Sequence, residues 1–201
     1  MPIERIDSED DLRAASAEAG RLLQLIQDYC AVNERTHADF PAAKVRFPRG
    51  FIRTADRQRS RLRFIRDSSL RGNLAYTLIL SDTVLWLSLR TDVWGVPLEM
   101  LTKLYAFLIG TLCESITKNY LAGRCGQNFK RRNAWMLEQG IIDEPLKDDL
   151  DWLWDTRNNM HLFQLDQLEY ENHYDIHCHI RAVRTFRRLL AALDQDYINA
   201  A

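Results

Sequence analysis

Apolar residues at helical spacing dominate the middle of this chain and restrict it to helical folds. They recur every three to four positions at Leu98, Leu101, Leu104, Leu108, Leu112, Ile116 and Tyr120. This period places them on one face of a helix. No segment combines a clean two-residue alternation with hairpin turn residues, so no strand is predicted. The sequence therefore predicts an all-α protein, a helical bundle of six or seven helices.

Capping and turn residues place the ends of the predicted helices. Ser8 is expected to cap the first helix, Gly140 to stop a short one, and Asp143 to cap the next, with Pro145 in its first turn. The predicted helices cover residues 8 to about 34, about 55 to 90 with a break at 67–72, 98–120, about 129–139, 145–161, and a last helix from about Glu169.

Two regions of different character are predicted. Proline and glycine punctuate an extended arm between residues 38 and 54, which excludes a continuous helix there. We expect residues 1–95 to form N-terminal helices and a basic arm that pack on the core. Residues 96–201 are expected to form the helical core itself, and the whole chain is predicted to be one compact unit of ordinary domain size.

Composition limits the classes of partner. Hydrophobic residues make up 46% and charged residues 27% of the chain, and the net charge of −1 gives no general attraction to nucleic acid or membrane. The acidic N-terminus does not resemble a secretory signal, and polar residues interrupt the apolar stretch 74–89, which predicts a buried helix and no membrane partner. Four scattered cysteines without a CxxC pair predict a reducing, cytoplasmic setting.

The end of the 145–161 helix carries two cationic residue types on an apolar stripe. Arg157 follows the leucines of that stripe, and His161 lies four residues later on the same helix face. An arginine can clamp a phosphate with two hydrogen bonds, and a histidine can transfer protons near neutral pH. Asn158 could orient either group or a substrate hydroxyl. These three residues are the candidate catalytic set for RNA cleavage without a metal ion.

A structural explanation of the same residues is also open. Arg157 could form a buried ion pair with Glu114, which lies beside the stripe of the 98–120 helix. His161 could complement the dipole at the end of its helix.

Tyr174 and Glu169, at the start of the predicted last helix, could support the catalytic site, with Glu169 holding His161 in one tautomer.

The region from about residue 98 to 193 resembles the HEPN superfamily, small four-helix domains that include many prokaryotic RNases of toxin and defence systems. The resemblance rests on a bundle whose third main helix ends in Arg157-Asn158 and then His161, followed by a further helix. The family motif usually has four to six residues between arginine and histidine, whereas this chain has three. The resemblance implies a HEPN-like C-terminal four-helix core with an N-terminal helical extension, a homodimer, and RNA binding or metal-independent endoribonuclease activity.

A second basic feature lies between Lys44 and Arg66. This segment has nine basic residues, eight of them arginine, against one acid, Asp56. Phenylalanines interleave with them and could stack on unpaired bases. The candidate nucleic-acid-binding residues are Arg49, Arg53, Arg57, Arg59, Arg61 and Arg63. Alternatively, the arm lies across acidic surface such as Asp148–Asp151, binds a protein partner, or is the solvated face of a helix.

The remaining motifs are weaker. His173 and His177 share a helix face and could bind zinc, but no HExxH or second ligand pair accompanies them, so no metal is predicted. The chain has no phosphate loop, no GxGxxG and no GxSxG elbow, and no cofactor is predicted. The competing function is a non-catalytic helical interaction or dimerisation module in which Arg157 and His161 are structural.

Overall fold

The computed structural model describes residues 5–33, 41–158 and 174–200. These residues form seven α-helices and one short 3-10 turn, Pro41–Ala43, and no strand is found among them. The all-α helical bundle is confirmed. The helices are α1 (Glu9–Val32), α2 (Ala55–Arg61), α3 (Ser68–Arg90), α4 (Val96–Tyr120), α5 (Phe129–Glu138), α6 (Glu144–Asn158) and α7 (Ile176–Asn199).

Residue contacts divide the chain into two units between Pro48 and Arg49. The first unit contains α1 and the 3-10 turn. The second unit contains α2 to α7, because α3 packs on both α2 and α4. Leu62 and Ile65, which follow α2, are completely buried in the same apolar core as α4. The arm from residue 49 onward is therefore part of the core.

Local capping determines most helix ends as predicted. The Ser8 side chain accepts a hydrogen bond from the backbone N–H of Asp11, and Asp143 accepts one from Leu146. Gly140 follows α5 with a φ of +68°, a conformation that favours glycine. The last helix begins at Ile176, later than predicted, because Asp175 caps it. Glu169 lies outside the described residues.

Helix α4 is the centre of the second unit. It packs against α3, α5, α6 and α7, and its buried face includes Tyr105, Ile109, Leu112 and Ile116. By length and composition α4 is also the one helix among the described residues that could cross a membrane, and 44% of its most apolar window is buried. A core helix of a soluble protein has these same properties, so α4 is compatible with one.

A glycine allows α4 and α6 to approach closely. An added Cβ on Gly110 would lie 3.0 Å from the Cβ of Arg157 and 3.4 Å from the carbonyl oxygen of Leu153. Both atoms are fixed by the backbone of α6, so they can move away only if the helix moves. The leucine stripe of α6, Leu146, Leu150 and Leu153, is fully buried on this side.

We expect Gly110→Ala to lower the free energy of unfolding by about 1–2 kcal/mol. Overpacking costs about 1–3 kcal/mol, and the gain in helix propensity returns about 0.5–1 kcal/mol. Chemical denaturation followed by circular dichroism measures the free energy of unfolding of the wild type and of the variant. The control is Gly72→Ala in α3, where an added Cβ has nothing within 4 Å and should raise stability. Equal stabilisation by both substitutions would contradict a tight α4–α6 contact.

Candidate functional site

Arg157 lies in the last turn of α6, on the same stripe as the buried leucines. Its Cβ packs against Gly110 of α4, and its guanidinium lies 5.1 Å from the ring centroid of Trp154. The side chain is 27% exposed. Arg157 therefore has an aromatic surface behind it and solvent within reach.

Two neighbours bind the guanidinium of Arg157. Nη2 lies 3.2 Å from Oε2 of Glu114, and Nη1 donates a hydrogen bond of 3.0 Å to Oδ1 of Asn158. Glu114 is also half-buried, with 28% of its side chain exposed. The ion pair that the sequence offered as the structural explanation of Arg157 is present. The structure thus brings together Arg157, Asn158 and Glu114.

The other residues predicted for this site are not placed with them. His161 and Glu169 lie outside the described residues. Tyr174 lies with its ring 5.8 Å from Nζ of Lys103, which precedes Glu114 by eleven positions on α4. At 1.5 Å per residue this separation is about 16 Å along the helix. Tyr174 therefore belongs to a different part of the bundle.

Sequence reasoning missed Arg132, which approaches the backbone of Glu114. Arg132 is 2% exposed, and its guanidinium donates to the carbonyl oxygens of Gln127 and, at 3.4 Å, Glu114. Burial lowers the pKa of this guanidinium. It also lies 5.5 Å from the ring centroid of Phe129, which stacks on Trp154 at 5.0 Å. The three consecutive cations 130–132 are typical of an exposed helix face, so no sequence pattern predicted this burial.

Polar atoms without a hydrogen-bond partner concentrate at this junction of α4, α5 and α6. Among the described residues they include Thr111 Oγ1, Arg132 Nε, Asn133 Oδ1 and Arg157 Nε, all buried. Such atoms are costly in an apolar core and tend to occur where function constrains the packing. The guanidinium of Arg157 approaches the carboxylate of Glu114, and that of Arg132 approaches its carbonyl oxygen.

Four of the eight arginines of the basic arm contact other side chains of the second unit. Arg53 forms an ion pair of 2.7 Å with Asp82, and Arg63 contacts Asp194 through two hydrogen bonds. Arg59 pairs with Asp56 within α2, and Arg61 donates to Gln58. The arm does reach acidic side chains, although these are Asp82 and Asp194 and not those at 148–151.

Asp82 is the buried partner of the arm. It is 4% exposed and accepts hydrogen bonds from the backbone N–H of Arg53, from Nη1 of Arg53 and from Nε2 of Gln58. Gln58 is itself completely buried and accepts from Arg61. A carboxylate with three donors is well satisfied at this depth. Arg53 therefore serves as an internal counter-ion.

A few arginines remain exposed beside α2 and α7. Arg57 and Arg187 are exposed, and neither side chain has a hydrogen bond or ion pair in the described part of the chain. Arg187 lines an open cleft of about 400 Å³ together with Ser60, Arg61 and Arg63. Burial and the nearby charges of Arg53 and Arg187 lower the pKa of the Arg61 guanidinium. We call this cleft, taken together with the exposed Arg57 of α2, the arginine cleft. Arg49 is also exposed and forms a single β-bridge with Ile52.

The histidine-rich segment is split by the fold. His177 is exposed, whereas Cys178 and His179 are buried, and His173 lies outside the described residues. Among the described residues no group of three histidine, cysteine or acidic side chains could hold a metal ion. No protein-family model, curated protein or solved structure matches this chain.

The Arg157–Glu114 pair should contribute measurably to stability. In a double-mutant cycle of Arg157→Gln and Glu114→Gln, we expect a coupling of about 1–2 kcal/mol, between the values for exposed and fully buried pairs. The control is the exposed pair Lys130–Asp155, which also joins α5 and α6 and should give about 0.5 kcal/mol or less. A coupling no larger than that of the control would show that the ion pair does not hold α6 to α4.

Proposed function

We propose that this chain is a HEPN-like RNA-binding protein that cleaves RNA without a metal ion. The observation that carries the proposal is the state of Arg157. Glu114, Asn158 and Trp154 hold its guanidinium in place, while about a quarter of the side chain remains exposed. A fixed cation beside solvent suits the stabilisation of charge on a phosphate, because no reorganisation is needed during the reaction.

In the proposed reaction the 2′-oxygen of the ribose attacks the adjacent phosphorus, and the bond from phosphorus to the 5′-oxygen breaks. The products are a 2′,3′-cyclic phosphate and a 5′-hydroxyl. His161 accepts the proton of the 2′-hydroxyl and returns a proton to the leaving oxygen. Arg157 stabilises the phosphorane, and Asn158 orients the guanidinium. Glu114 acts as a positioning residue, since it contacts Arg157.

The cleavage proposal is tested with purified protein and total RNA in the presence of EDTA. We expect cleavage by the wild type, loss of at least 100-fold in rate for Arg157→Ala and His161→Ala, and a smaller loss for Arg157→Lys, which keeps the charge but not the planar fork. Lys130→Gln, a surface cation on α5, is the control and should cleave normally. A wild type that does not cleave, or an active His161→Ala variant, would refute the catalytic role.

Phosphate contacts outside the cleavage site are proposed for the arginine cleft. Arg57 and Arg187 carry charges that the described residues do not pair, unlike Arg53 and Arg63. The cleft that Arg61 and Arg187 line can follow the backbone of a single strand. Arg53, Arg59 and Arg63 then serve mainly to shape the surface, with Arg61 between the two roles, whereas Arg49 stays exposed.

We expect Arg57→Ala/Arg187→Ala to weaken RNA binding about tenfold and to reduce the slope of log affinity against log salt by about 1.5–2. Fluorescence anisotropy with a labelled single strand at several salt concentrations measures both quantities. Arg131→Ala removes an exposed arginine from α5 and is the control. If this control weakens binding as much as the double variant, the contact is nonspecific attraction by surface charge.

The second candidate function, a non-catalytic helical interaction module, is favoured by the pairing of Arg157. An ion pair with Glu114 and a hydrogen bond to Asn158 already neutralise and orient the Arg157 guanidinium, as expected for such a module. In that case Arg157→Ala lowers stability while RNA cleavage is absent from the wild type as well.

A homodimer, a protein partner at the arm and a cytoplasmic location are also proposed. Light scattering of the purified protein tests the homodimer.

A further inference from the structure

A cavity of about 340 Å³, lined by apolar surface and a few polar groups, lies where the end of α3 meets the first turns of α4 and α7. Its walls include Leu98, Glu99 and Thr102 from α4, and Asp175, Ile176 and His179 from the start of α7. This volume is at the lower end of the range for small-molecule sites. Neither the proposed RNA cleavage nor the arginine cleft uses any of these residues.

His179 is buried at this cavity without a polar partner. It is 6% exposed, and its imidazole makes no hydrogen bond within the described residues. The ring stacks on Tyr105 with 4.7 Å between centroids and an angle of 23° between planes. Burial lowers the pKa of His179, so the imidazole is neutral at pH 7 and offers one acceptor and one donor nitrogen. The stacking fixes the ring plane but satisfies neither nitrogen.

Glu99 is the second unpaired group. Its Oε2 is buried and has no hydrogen-bond partner in the part of the chain that the structure describes. A buried carboxylate oxygen without a donor is costly, because it has lost its water without replacement. A ligand that donates hydrogen bonds to this oxygen would remove that cost.

The charge of the cavity specifies the ligand. The described residues that line it include two carboxylates, Glu99 and Asp175, and no lysine or arginine. The Asp175 side chain caps α7 by accepting from the N–H of Cys178. Lys103 is the nearest cation in sequence to Glu99, and its Nζ lies over the ring of Tyr174. Because Tyr174 also lines the cavity, the charge of Lys103 lies beside it, but the two lining carboxylates outnumber this one cation and favour a positive ligand. Leu98 and Ile176 provide apolar contact for the body of the ligand.

We propose that this cavity binds a small organic cation, a primary ammonium with a compact apolar body. The ammonium donates hydrogen bonds to Oε2 of Glu99 and to the acceptor nitrogen of His179. Three N–H donors on one charged centre satisfy both groups, which a neutral hydroxyl with a single proton does not. The body of the ligand lies against Leu98 and Ile176.

The cavity is remote from the proposed cleavage site. Glu99 precedes Glu114 by fifteen residues on α4, which corresponds to about 22 Å along the helix axis. Loss of binding here and loss of RNA cleavage there can therefore be measured separately on the same protein.

The probe is phenethylammonium, with neutral 2-phenylethanol as its matched control. Calorimetric titration of the full chain at pH 7.5 should show saturable binding of the ammonium, and the alcohol should bind at least tenfold more weakly. Glu99→Gln should weaken binding of the ammonium about 10- to 100-fold, as expected when a charge-assisted hydrogen bond is replaced by a neutral one. Glu138→Gln, an exposed glutamate on α5, should bind as the wild type does.

Histidine ring resonances provide an independent measurement that needs no substitution. Addition of phenethylammonium should shift the ring signals of His179 and leave those of exposed His177 unchanged. The proposal is overturned if the alcohol binds as tightly as the ammonium, if Glu99→Gln binds normally, or if the signals of His179 do not move at saturating ligand. Absence of any saturable binding overturns it as well.

Discussion

The close approach of α4 and α6 at Gly110 determines the geometry of the region around Arg157. Because no side chain separates the two backbones there, the leucine stripe of α6 reaches the centre of the bundle. Arg157, the next residue of that stripe, lies directly beside α4. Its guanidinium then extends to Glu114, one turn further along α4. A packing constraint in the apolar core thus decides where a positive charge meets solvent, and the proposed chemistry at Arg157 depends on that constraint.

Arginine has two different uses in this protein. Arg53 and Arg63 neutralise carboxylates of the same unit, one buried and one near the surface. Arg57, together with Arg46, Arg49 and Arg66, is exposed without an ion pair among the described residues, so half of the arm's arginines are free for a partner. A chain with nearly equal numbers of acids and bases can satisfy most of its charges internally, and proximity in the fold, not in the sequence, decides which ones remain.

The sequence was a good guide to features that depend on neighbouring residues. Helical periodicity predicted the bundle, and the caps at Ser8 and Asp143 lie where they were expected, because a cap needs only the next three residues. The Glu114 partner of Arg157 was also anticipated, since both lie on predictable helix faces. The burial of Arg132 and His179 was not anticipated, because it depends on which helix packs over them. The boundary at residue 48 likewise results from contacts that α2 makes in the fold.

The hydrogen bonds of Asp82 also have an evolutionary consequence. A buried carboxylate that loses its cation is left uncompensated, so the charge of Asp82 depends on Arg53. Arg53, Gln58 and Asp82 should therefore diverge together, while Arg57 can vary on its own. In related chains a neutral residue at position 82 should accompany the loss of Arg53, even where the remainder of the arm stays strongly basic.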